Sequence, residues 1–219
     1  MSQRFSSHLF WGSYSPLSIL TVIGLMVLAS SRLAFALVCA AALIWVYGFT
    51  ALAYSFGRLI MPTRGRILIL LFLSTFFCGI FMIIMGLFNP LLILGTSFFL
   101  LLIPPSCLGS GFFEASESIY PAELVSRALL EAVVIAALVI AIALIREPLG
   151  MGTLSFPGGA HGIVELFQIT EDDTFGPIRI LSASAGGLLL MGYGVSLFRF
   201  FRERAGNTPR SEIFPEDMK

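Results

Sequence analysis

Residues 67–88 read ILILLFLSTFFCGIFMIIMGLF, an unbroken apolar stretch with no charged side chain. A helix crossing the hydrocarbon layer needs about 20 such residues, because backbone amides in lipid must be satisfied within their own segment. Period-2 alternation, the mark of a membrane β-strand, is weak in this stretch and elsewhere in the chain. The stretch therefore reads as a membrane-spanning α-helix.

Working outward, uncharged runs place five more helices at about 16–31, 33–57, 91–110, 124–145 and 178–198. Charge, proline or glycine bounds each of them: Arg32, then Arg58 to Arg66 with Pro62, then Asn89-Pro90, then Glu114 to Glu123 with Pro121. The fifth connection, Arg146 to Arg179, is the only long one. Of 219 residues 57% are hydrophobic and 12% charged, and the mean hydropathy is +0.94. Soluble domains are about one-quarter charged, so lipid is the main partner of this chain. The expected class is an all-α integral membrane protein, not a soluble enzyme with an anchor. It has one six-helix domain over 1–204 and a mobile polar tail over 205–219. Zero net charge gives no bulk basic signal for nucleic acid. The first apolar run lacks a small-residue cleavage site and is read as retained.

Basic residues divide ten against three between the two faces. Arg4, Arg58, Arg64, Arg66, Arg127, Arg199, Arg202, Arg204, Arg210 and Lys219 fall on one side, and Arg32, Arg146 and Arg179 on the other. Basic loops stay inside, so both termini are expected in the cytoplasm, with the acidic fifth connection (Glu165, Glu171, Asp172, Asp173) outside. Six helices split into halves of three, about 15–88 and 89–202. An odd-numbered repeat enters the membrane from opposite sides, giving an inverted 3+3 pair. Ser15-Pro16-Leu17 opens the first half much as Asn89-Pro90-Leu91 opens the second.

Ile103-Pro104-Pro105-Ser106-Cys107-Leu108-Gly109-Ser110-Gly111 puts two prolines, a thiol and two glycines into the fourth helix. Adjacent prolines remove two amide donors, and glycine permits backbone closed to other residues. Two readings stand: a broken helix at membrane depth around a functional site, or a helix that ends at the interface. Cys107 is either a small apolar residue or a metal ligand whose shell other chains complete, because no C-x-x-C pair exists. Cys39 and Cys78 also lie in apolar runs, where buried thiols are the ordinary state. Arg146-Glu147-Pro148-Leu149-Gly150-Met151-Gly152 closes the fifth helix with an adjacent ion pair and a glycine-rich turn. It reads as an interfacial cap, or as a charged pair facing a polar seam between helices. Arg127 and Glu131, four apart, share a helix face and are expected to pair. His161, in a glycine-rich loop, reads as solvent-exposed.

Two of these segments together resemble the NqrD/RnfE-type membrane subunits of the sodium-pumping quinone reductase and the Rnf electron-transfer complex. Ser106-Cys107 followed by Gly111, Glu114 and Ala115 is similar to that family's fourth-helix break. Arg146-Glu147 leading through Leu149-Gly150-Met151-Gly152-Thr153-Leu154 is similar to the end of its fifth helix. A last helix opening on Ser182-Ala183-Ser184-Ala185 and ending at Arg199 and Arg202 extends the likeness over about 15–204.

The resemblance implies an inverted repeat with broken helices 1 and 4, in a bacterial cytoplasmic membrane. It also implies pairing with a homologous RnfA-like subunit of opposite orientation. The pair would share an iron–sulfur centre, with Cys107 as this chain's ligand. Pro104, Pro105, Gly109, Gly111, Glu114, Arg146, Glu147, Gly150 and Gly152 would shape the site. Electrons would pass between flavin-bearing and iron–sulfur-bearing partner subunits, coupled to Na+ or H+ transport. Two positions depart from the family: Met26 stands where the first-half cysteine belongs, and Arg127, with Ala128, Leu129 and Glu131, replaces an Asp in a glycine-rich stretch. A thioether brings no charge to iron. The expected function is a membrane subunit of an Rnf-like translocase. The alternative is a small inverted-repeat transporter or structural subunit without a redox centre.

Overall fold

The computed structural model describes residues 16–57, 66–109, 121–158, 162–168 and 179–193, together with residue 196. The order is α1 (Pro16–Ala29), α2 (Leu33–Gly57), α3 (Arg66–Phe88), α4 (Pro90–Leu100), α5 (Ile103–Gly109) and α6 (Pro121–Met151). A hairpin of β1 (Thr153–Pro157) and β2 (Ile163–Gln168) follows, then a 3-10 turn at Arg179–Leu181 and a helix α7 over 184–193. Three helices, α2, α3 and α6, are long and apolar enough to cross a membrane. The chain is a mostly helical membrane protein.

Helix α2 is the centre of the bundle, packing against α3, α4, α5, α6 and β1. Its sequence explains this. Ala34, Ala36, Ala40, Ala42 and Ala51 are buried around much of its circumference, and small side chains let neighbouring backbones approach closely where lipid supplies no hydrophobic drive. Helix α3 has the opposite character, with Leu68, Phe72, Phe76, Ile83 and Leu87 exposed, the face a lipid-contacting helix offers.

The Asn89-Pro90 boundary lies where expected and has a clear cause. Asn89 Oδ1 accepts from the Leu92 amide at 3.1 Å, a side-chain N-cap with proline at the first helical position, where its missing amide costs nothing. The stretch read as the fourth helix, about 91–110, forms two pieces, α4 and α5, with a turn at Leu101-Leu102. Eleven residues of α4 rise about 16 Å, half of a hydrocarbon layer.

The fifth helix does not close at Arg146. It runs on through Pro148 to Met151, and Gly152, at φ +69°, ends it in the left-handed region. What followed as a long loop contains an antiparallel hairpin, in register from Thr153↔Gln168 to Pro157↔Ile163 with an irregularity at Leu154/Ser155.

Candidate functional site

Pro104 and Pro105 do not interrupt a helix. They stand in the first turn of α5, where amides lack intrahelical partners in any case. The break falls just before them, at the Leu101-Leu102 turn. Pro104 has no amide to offer the Leu100 carbonyl four residues back. That carbonyl is satisfied from another helix: Cys78 Sγ donates to Leu100 O at 3.3 Å. Ser106 turns its hydroxyl to Ile103 O at 2.7 Å. The short helix packs against α1, α2 and α3, so Ile103, Ser106 and Cys107 are wholly enclosed. The fourth helix is divided into α4 and α5, and Cys107 lies inside the bundle at 0% exposure. Gly109 is the last residue of α5. Gly111, Glu114 and His161 lie outside the described residues, as do Arg199, Arg202 and the 205–219 tail.

The second cluster forms where α6 ends. Arg146 and Glu147 are 2% and 1% exposed. They do not pair with each other, because neighbouring helical residues point about 100° apart. Arg146 instead uses all five of its donors on other elements. Nε donates to Leu181 O at 2.8 Å, and Nη1 to Val27 O at 2.5 Å and Ser30 Oγ at 3.1 Å. Nη2 donates to Ser182 O at 3.2 Å and Ala183 O at 2.9 Å. Glu147 Oε2 accepts from the Leu33 amide at 2.6 Å, while its Oε1 is buried without a partner among the described residues. Ser155 Oγ accepts from the next amide, Ala34, at 3.4 Å.

The charges match the helix ends. A cation meets carbonyls at the C-terminus of α1, and an anion meets amides at the N-terminus of α2. The α1–α2 hinge is therefore capped from a helix more than a hundred residues away. Two glycines permit the approach. A Cβ on Gly150 would stand 2.8 Å from the Ser182 nitrogen, and one on Gly187 2.9 Å from Arg146 Nη1. The hairpin locks on beside this cluster: Asn89 Nδ2 donates to Gly162 O at 3.1 Å, and Arg32 lies 3.9 Å from Glu165. The first, third and fifth connections thus meet at one end of the bundle.

Arg127 pairs with Glu123, at 2.5 Å, rather than with Glu131. Both are four residues away, but Glu123 stands nearer the helix terminus, where two charges are cheaper to hold. Among the described residues no three His, Cys, Asp or Glu side chains converge where they could hold a metal ion. Several contributors gave no signal in the sequence: Cys78 as donor to the broken helix, Ser30 and Ser155 as caps, Gly187 as clearance. Each acts only through a partner distant in the chain.

Compared with family models, with curated proteins and with solved structures, the chain matches none.

Proposed function

We propose that the chain is a membrane subunit of an ion-translocating, Rnf-like oxidoreductase, built as an inverted 3+3 repeat with both termini in the bacterial cytoplasm. It would lie beside a homologous subunit of opposite orientation and near partners that carry flavin and iron–sulfur groups. The observation that carries this reading is the convergence of the segments behind the sequence resemblance. Arg146 reaches the Leu181–Ala183 stretch, 35 to 37 residues on, Gly150 lies against Ser182, and Glu147 beside them holds the start of α2. The break ahead of Cys107 supports it further, because irregular backbone at membrane depth is tolerated where protein encloses it.

A four-thiolate cluster does not fit within this chain. Cys107 is a single enclosed thiol, Cys78 is engaged with Leu100 O, and no three-ligand group is formed among the described residues. An iron–sulfur centre would need its remaining ligands from a partner subunit, with α5 turned toward that partner. Such a centre supplies one-electron transfer. This chain's own share is orientation and a low-dielectric setting.

Iron and acid-labile sulfide, measured on the purified complex before and after Cys107→Ala, test the proposal. Loss of both, together with loss of electron transfer between the flavins, is the expected result. Unchanged iron and unchanged transfer would remove Cys107 from the redox path. The enclosure of Cys107 favours a second reading, a transporter or structural subunit without a redox centre. Purification in mild detergent separates the two: co-purifying flavin-bearing subunits support the first, and a colourless homo-oligomer the second.

A further inference from the structure

Helix α2 is buried on most sides, yet one stripe of it faces outward. Ala41, Ile44, Phe49 and Leu52 are exposed, at spacings that keep them on one side of a helix. This stripe lies in a groove of 480 Å³ between α2 and α6. Gly48 forms its floor, where a Cβ would stand 3.2 Å from Leu129 Cδ2, so the missing side chain keeps the space open. One wall is aromatic: the rings of Trp45 and Phe49 lie 4.4 Å apart. Helix α3 braces both, with Phe81 6.3 Å from Trp45 and Phe77 5.5 Å from Phe49. The other wall is Val125 and Leu129, one turn apart on α6. The polar atom among these lining side chains, Trp45 Nε1, is itself buried and adds nothing to the surface of the groove.

The groove lies at membrane depth, since α2 and α6 are both long and apolar enough to cross. From Ala41 to Leu52 it runs about 16 Å along the α2 axis, about half of the hydrocarbon layer and so one leaflet. Ala41 stands about 12 Å from Leu33, near the midplane, and Leu52 points the groove toward Gly57. Spread over that length, 480 Å³ leaves a cross-section of about 30 Å², a channel about 6 Å wide, against about 10–12 Å for a helix with its side chains. The dimensions suit an extended hydrocarbon chain and exclude a seated helix. Both flanks continue the lipid-contacting surface. Phe77 packs on Phe76 at 5.7 Å, and Phe76 and Phe72 are exposed on the lipid face of α3; beyond the other wall, Leu130 and Val133 are exposed on α6. An empty groove would forfeit dispersion contacts along its whole lining, and a chain within it is touched on three sides instead of one.

We propose that this groove is a lipid-binding site that holds one acyl chain of a phospholipid, drawn from the leaflet at the end of the bundle where α2 finishes. The site needs neither the redox centre nor the partner subunits of the reading above, so a failed iron assay leaves it standing. The probe is a phospholipid with a diazirine in one acyl chain, introduced into native membranes that hold the assembled protein. Irradiated there, it should mark both the groove and the lipid face of α3. Irradiated only after exhaustive detergent washing in the dark, it should still mark the Ala41–Leu52 stretch and Val125 or Leu129, while the marks on Phe72, Ile83 and Leu87 are lost. Ala41→Leu, at an exposed position near the midplane end, should abolish the retained label without lowering the melting temperature. Loss of the groove label on washing, as from ordinary boundary lipid, would overturn the proposal. So would a groove that stays unmarked before washing while α3 is marked, because a protein partner then covers it. The wild-type pattern decides even if the variant fails to fold.

Discussion

At the scale of single residues, the fold depends on side chains that satisfy backbone groups of another helix. Cys78 is the simplest case, a thiol on α3 donating to the carbonyl that Pro104 leaves without an amide. Cys78→Ala should destabilise the protein by about 1–2 kcal/mol, the cost of an orphaned buried acceptor. Cys78→Ser, which keeps a donor, should cost less. Thermal unfolding in detergent compares the two. Arg146 is the larger case. Lys has three donors on a flexible stem in place of a planar fork of five. Arg146→Lys therefore leaves at least two of the five carbonyl and hydroxyl contacts unmade, and should lower stability by about 3 kcal/mol. An equal melting temperature for Arg146→Lys would show that charge alone holds this end of α6.

At the scale of elements, two couplings follow. Pro104→Ala restores an amide that can reach Leu100 O, so Cys78→Ala should cost less in that background than in the native chain. A double-mutant cycle measures the difference, and additive effects would separate the thiol from the helix break. Gly187→Ala places a methyl 2.9 Å from Arg146 Nη1 and 3.2 Å from Val27 Cγ1. It should be strongly destabilising in the native chain and much milder beside Arg146→Ala, because the obstruction is then removed. The same cycle reads out whether α7 and α6 are held by this contact.

At the scale of the whole molecule, the hinge of α1 and α2, the Asn89 boundary and the β-hairpin share one end of the bundle. Cysteines introduced at Ser31 and Val164 should therefore react with a membrane-impermeant maleimide from the same side of the membrane, and one at Gly57 from the opposite side. The native thiols, all buried, should stay silent in that experiment. Labelling of Ser31→Cys and Val164→Cys from opposite sides would dismantle the arrangement. Under the proposed orientation the shared side is the outer one.

Much of the framework was legible in the sequence, because it follows from local physics. The length of the apolar runs fixed α2, α3 and most of α6. The Asn89-Pro90 pair fixed the α4 boundary through a cap three residues away, and Pro104-Pro105 marked the break that encloses Cys107. Arg127 showed the limit of local reading: Glu123 and Glu131 were equally spaced partners, and position along the helix decided between them. What spacing could not reach was the destination of long side chains and freed carbonyls. Arg146 and Glu147 looked like a neighbouring ion pair closing a helix. Only the tertiary structure sends them apart, to α1 and the turn ahead of α7 and to α2, across sequence separations of 35 to 119 residues. The physical reason is that a helix end buried inside the protein has no water to satisfy it. The amides of α2, the last carbonyls of α1 and the Leu100 carbonyl must find partners inside the protein, and those partners are set by packing rather than by nearness in the chain.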